Sequence, residues 1–183
     1  MSAMIGHHTQ AVTMSRLAPA RAASPSVRTL AERIISAQQD EVGTMQQWLR
    51  DRRQSVPAGP PPAGGVADDE HAGHDMADEH AGHDMAGQDM AGHDASMPGM
   101  LTDAQMRQLA AARGAEFDRL FLTFMIQHHR GAVSMVQGLF GSYGAAQDET
   151  VFKFASDVNV DQVTEIARMQ RMLADLLFEQ PAR

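Results

Sequence analysis

The chain reads as an all-α protein, a four-helix bundle made from one helical hairpin written twice. Three observations predict this. Apolar residues recur every three or four positions along each long segment, which is the period of an amphipathic helix. The stretch Met4 to Met14 aligns without gaps on Met125 to Met135, with seven of eleven residues identical, His7-His8 falling on His128-His129. The alternating apolar pattern of half-buried strands is absent. A second alignment places Val27 to Leu49 on Val151 to Leu173, so that Gln38, Glu41, Met45 and Leu49 recur as Gln162, Glu165, Met169 and Leu173. A repeat of this length means that one supersecondary unit is used more than once.

The elements follow in order. Met4 already belongs to the repeat, and the counterparts of Asp118 and Phe121 would fall before residue 1. The first helix is therefore expected to be short or the given start to be internal, and the second reading also accounts for a missing signal peptide. Leu17 to Ala23, with Pro19, is expected to be a loop. Ser24-Pro25 marks the next helix start, a capping residue followed by proline at the first helical position. That helix should reach about Arg53, where the Pro/Gly-rich run 56–65 ends it. Thr102 to Gln105 reads as a capping box, and Gly114 permits a break before the central helix. Gly141 to Gly144 turns the chain into a last helix ending near Phe178. Short connections inside each hairpin imply antiparallel neighbours. The resulting division is 1–53 for the first hairpin, 54–100 for a linker and 101–183 for the second, with both hairpins in one bundle.

Charge and composition narrow the function. The formal net charge is −8, and removing the nine acidic residues between Asp68 and Asp94 takes it to +1. No basic footprint for nucleic acid remains, and no apolar run approaches the 18 or so residues of a membrane span. The chain has no cysteine, which excludes disulfides and thiolate metal sites, yet it carries 14 methionines and nine histidines.

Those residues concentrate in two places. In the bundle, His128 and His129 share their helix with Met125 and Met135, as His7 and His8 do with Met4 and Met14. On the following helices Glu41 and Met45, like Glu165 and Met169, stand four residues apart and on one face. Neighbouring residues on a helix point about 100° apart, so one histidine of each pair is expected to face inward and the other to flank it. A facing carboxylate, Glu165 or Glu41, is expected to hold the inward imidazole. That arrangement suits the outer shell of a metal-bound histidine and equally a buried histidine held for structure alone.

The second place is the linker. Its centre repeats Ala-Gly-His-Asp-Met, with His71, His74, His80, His83 and His93 and with Met76, Met85 and Met90 among its thioethers. It lacks the apolar mass to offset ordering entropy, so it is expected to be disordered without a ligand. His-rich tracts point to metal binding, and thioether sulfur beside imidazole suits copper, Cu(I) above all. The plainer alternative is an acidic, solubilising linker.

The pattern Asp118-x-x-Phe121-x-x-x-Met125-Ile126-x-His128-His129, followed by Ala155 and by Gln162-x-x-Glu165-x-x-x-Met169, resembles the bacterial domain-of-unknown-function family 305. The resemblance covers both hairpins. It implies a ferritin-like helical bundle, a periplasmic or secreted location and copper bound through Met and His. The expected function is then copper sequestration, transport or resistance without catalysis, with metal ions and other copper-handling envelope proteins as partners. A redox enzyme with a core metal is the rival, and a metal-free interaction module the third reading. The Glu-x-x-His motif of carboxylate-bridged di-iron bundles does not occur in the sequence.

Overall fold

The structure, a computed structural model, describes residues 1–59 and 97–178. Most of the expected linker, residues 60–96, lies outside the described residues, as does its expected disorder.

Six helices account for the described chain: α1 (Ser2–Ser15), α2 (Ala18–Arg21), α3 (Pro25–Asp51), α4 (Asp103–Ala111), α5 (Gly114–Gly141) and α6 (Glu149–Phe178). Among the described residues there is no strand, only an isolated bridge between Ala22 and Gly114. The starts follow local chemistry. The Ser24 hydroxyl accepts from Val27 N at the head of α3, with Pro25 in its first turn. At α4 the expected capping box is complete, Thr102 and Gln105 bonding reciprocally. At α6 the Asp148 carboxylate accepts from Val151 N at 3.0 Å. Gly114 opens α5 at φ +63°, a left-handed conformation that favours glycine.

One sequence expectation needs correction. Leu17 to Ala23 is not all loop, because one helical turn, α2, forms there with Pro19 in its first turn, where the missing N–H costs nothing. Asp118 does not join the histidines that follow it. Ten residues upstream of His128 on a straight helix is about 15 Å along the axis, and its Oδ2 instead accepts from Ser24 N at 2.8 Å, tying α5 to the start of α3. Burial pushes the Asp118 carboxyl up, against the lowering effect of the Ser24 and Ala23 amides.

α1 packs on α3 and α5 on α6, and α1 and α5 meet each other across the centre. The core has two apolar bodies. One gathers Ala11 and Met14 of α1, Val27 to Ile34 of α3, Phe117 to Ile126 of α5 and Met169 of α6. The other gathers Met4 and Ile5, Val42 to Leu49, Ala132 and Val136, and Ala155 and Val158. The early part of each helix thus meets the late part of its neighbour, which is the antiparallel packing that the short connections imply. On every helix the buried side chains between the two bodies are polar.

Candidate metal centre

Those polar residues form one layer across the bundle: His7 and His8 from α1, Gln38 and Glu41 from α3, His128 and His129 from α5, Gln162 and Glu165 from α6. All four imidazoles are fully buried, and both glutamines are buried. The expectation that one histidine of each pair would merely flank the core is therefore wrong. α5 is covered on two sides, by α1 and by α6, so directions 100° apart both lead inward. His128 meets His7 of α1, ring centroids 3.9 Å apart. His129 Nε2 meets Glu165 Oε2 of α6 at 2.6 Å, the carboxylate contact expected for one histidine of the pair.

The first half repeats the arrangement. His8 Nε2 stands 2.6 Å from Glu41 Oε2, though at an angle short of a good hydrogen bond, for both atoms also count as unpartnered. The equivalent pair in the second half is both as close and well aligned. His7 Nε2 lies 3.0 Å from the carbonyl oxygen of Pro98.

These partners fix tautomers. A carbonyl oxygen only accepts, so His7 Nε2 carries the proton and donates it; a carboxylate oxygen imposes the same on His129. Their Nδ1 atoms are left as lone-pair donors. The Nδ1 atoms of His7, His8 and His129 and both nitrogens of His128 are buried with no hydrogen-bond partner. Each such group costs about 1–3 kcal/mol, so five of them in one layer is an expensive way to fill a core. Burial holds the His7 imidazole down at about 4, its neighbours His8 and His129 lowering it further while the Pro98 carbonyl opposes. Burial, then the imidazoles of His7, His129 and His8, lower His128 well below the ordinary histidine value. Both are neutral near pH 7, the form that ligates metal.

The six candidate bundle methionines divide evenly about the layer. Met14, Met125 and Met169 lie in the apolar body on one side; Met4, Met45 and the partly buried Met135 lie in the other. At the rim, burial raises the Asp161 carboxyl, and the carboxylates of Glu41, Glu165 and Asp157 raise it further. Asp161 is thus an electrostatic neighbour of both layer glutamates. Among the described residues no three His, Asp or Glu side chains converge as a ready ligand set for one ion. That donor geometry does not suit a carboxylate-rich or tetrahedral nitrogen site. Two facing imidazoles with thioethers on either side fit a soft ion of low coordination number. His71, His74, Met76, His80, His83, Met85, Met90 and His93 lie outside the described residues.

Sequence reasoning did not find the segment 97–101 as part of this centre, nor Asp161. The signal for Asp161 was its position one turn before Glu165 on the same face. The signal for the segment was subtler. Gly6 and Gln10 on α1 stand where Gln127 and Gly131 stand on α5, and the repeat diverges there because that segment lies between them.

Fold and layer together define a class: an all-α four-helix bundle with a buried histidine layer at mid-height. The chain belongs to the DUF305 family, a domain of unknown function, whose model matches residues 1–173. A DUF305 protein from Streptomyces coelicolor, provisionally described as secreted, is similar in structure at a TM-score of 0.69 and 28% identity, covering 94% of this chain and 88% of that one. CopM in its Cu(II)-bound form is similar at a TM-score of 0.62 and 26% identity, over 94% and 91%. CopM co-crystallised with silver is similar at 0.59 and 25%, over 94% and 90%. None of the curated proteins matches the chain in sequence. No helix among the described residues is long and apolar enough to cross a membrane.

Proposed function

We propose that the protein binds copper, holding it as cargo in the buried histidine layer at the facing His7–His128 pair, with His8 and His129 beside it and thioether help from Met4, Met14, Met45, Met125, Met135 and Met169. One observation carries the reading: five ring nitrogens are buried together without partners, and burial keeps His7 and His128 neutral. Glu41 and Glu165 orient His8 and His129 and place negative charge beside the incoming cation, the usual outer-shell role. The copper- and silver-bound forms of CopM support the choice of metal.

The role we infer is sequestration or carriage rather than catalysis, since the four imidazoles are fully buried in the bundle. An extracytoplasmic site of action is consistent with the provisional description of the Streptomyces relative as secreted. The histidines and methionines of residues 71–93 would add weaker, independent copper sites of the same donor chemistry. Anaerobic Cu(I) titration with thermal melts tests the bundle site in a version lacking residues 60–96. A melting temperature that rises with copper supports it, and one indifferent to copper returns the layer to a scaffold.

A further inference from the structure

Residues 97–101 cross α1 and α5 at the height of the histidine layer. Their backbone makes the hydrogen bonds, while Met100 and Leu101 are buried. The Pro98 carbonyl accepts from His7 Nε2 at 3.0 Å. Leu101 exchanges two bonds with the Gln10 side chain, its N–H donating at 2.7 Å and its carbonyl accepting at 3.0 Å. Gln127 Nε2 approaches the Gly99 carbonyl at 3.4 Å, and Gln105 Nε2 donates to Gln127 Oε1.

The seat depends on two glycines. Gly99 has φ +78°, and a Cβ there would come within 2.6 Å of the Gln127 carbonyl oxygen. Gly131 lies inside α5 in ordinary helical conformation, yet a Cβ on it would fall 1.9 Å from the Pro98 carbonyl oxygen. Alanine is the better helix former, so α5 itself gains nothing from glycine at 131. The residue there serves the segment that passes over it. On the outer side an open groove of about 660 Å³, lined in part by Pro98, Gly99, Gln127 and Gly131, leaves room for the segment to lift.

We propose that residues 97–101 form a positioning strap for the copper site. Pro98 holds His7 as the Nε2–H tautomer, which leaves the buried Nδ1 as its ligating atom. The strap must lift from Gly131 for an ion to reach the His7–His128 pair. This rests on the reading of the layer as a copper site, and it adds the element that governs entry and the nitrogen that binds.

Gly131→Ala in the full chain tests it, because the new methyl collides with the strap backbone while α5 keeps its helix. Gly138→Ala is the control, lying in the same helix with nothing within 4 Å of the added Cβ. Gln10→Ala, which removes both bonds to Leu101 and adds no atoms, is a second way to loosen the strap. The readouts are deuterium exchange at the Leu101 amide, the rate of carbethoxylation at each histidine mapped by peptide mass spectrometry, and the nitrogen chemical shifts of His7. We expect Gly131→Ala to raise Leu101 exchange and His7 modification about tenfold or more, the size of a modest local opening, and to mix the two His7 tautomers. Gln10→Ala should do the same to a smaller extent, and Gly138→Ala should match the parent. Unchanged His7 tautomer and rates in both loosened variants overturn the strap, and so does equal acceleration at His8 and His129, which would report general loosening. Copper protection of His7 and His128 from carbethoxylation reads the underlying site separately. A strap response without copper protection keeps the positioning role and removes the copper reading; protection without a strap response does the reverse.

Discussion

The two halves of the bundle carry the same histidine pair in different surroundings. The outer imidazoles match: His8 faces Glu41 and His129 faces Glu165, each at 2.6 Å. The inner imidazoles do not. His7 is tied to the Pro98 carbonyl, whereas His128, its ring close to that of His7 but tilted, has neither nitrogen partnered. Duplication of a hairpin produces a two-fold layer, and one short strap, lying on one side of it, breaks that symmetry. The symmetric pairs set charge and orientation, and the unsymmetric pair sets which nitrogen is free.

Acidification should break the comparison most strongly. The folded-state value of His7, about 4, lies below the ordinary 6.5, so between these values the unfolded chain binds the extra proton. Stability is therefore complete above pH 6.5 and falls as pH drops toward 4, by about 3 kcal/mol for a depression of that size. His128 acts with the same sign. Asp118, shifted up, opposes weakly, because its fold-favoured proton is gained as pH falls. Denaturant melts from pH 4 to 7 check this. His7→Gln should flatten the profile, and His128→Gln should flatten it more, since burial and three neighbouring imidazoles lower His128 further.

Next in size is the loss of metal. In a version lacking residues 60–96, a hundredfold excess of Cu(I) over its dissociation constant should stabilise the bundle by about 2.7 kcal/mol. His7→Ala with His128→Ala should abolish that gain, as read by melts with and without copper. The outer pairs sharpen the symmetric side of the comparison. Glu41→Gln and Glu165→Gln should each weaken copper affinity by roughly 10- to 100-fold, the usual outer-shell effect, and by similar factors. Isothermal titration would show it, and a loss confined to one half would mean that the ion sits off the two-fold position. The smallest effect belongs to the helix starts. Ser24 and Asp148 occupy equivalent places in the repeat and cap α3 and α6. Ser24→Ala should cost about 1 kcal/mol, Asp148→Ala should act in the same sense, and neither should alter copper binding.

Much of this was legible in the sequence, for identifiable reasons. Periodicity located the long helices, and local chemistry located their starts, because Ser24-Pro25 and Thr102 to Gln105 need only their own neighbours to act. The repeat aligned Glu41 with Glu165 and so pointed to the carboxylate beside each outer histidine. Helix geometry misjudged the pairs, since 100° between neighbours excludes one from the core only when a helix is covered on a single side. Met100, counted among the thioethers of the linker, is a buried residue. Residues 97–101 were unreadable because their role arises from Gln10 and Gly131, elements far apart in the chain that meet only in the folded bundle.

The central claim, that the buried histidine layer holds the ion through unpartnered ring nitrogens, is tested most directly by silver titration of the intact, nitrogen-15 histidine-labelled protein followed by NMR. Silver is a diamagnetic stand-in for Cu(I), and its coupling to nitrogen identifies ligating atoms. The account predicts coupling or a ligation shift at Nδ1 of His7, His8 or His129 and at a nitrogen of His128, with the Nε2 protons facing Pro98, Glu41 and Glu165 retained. Bundle resonances that stay unchanged while only the histidines of residues 71–93 respond would contradict it.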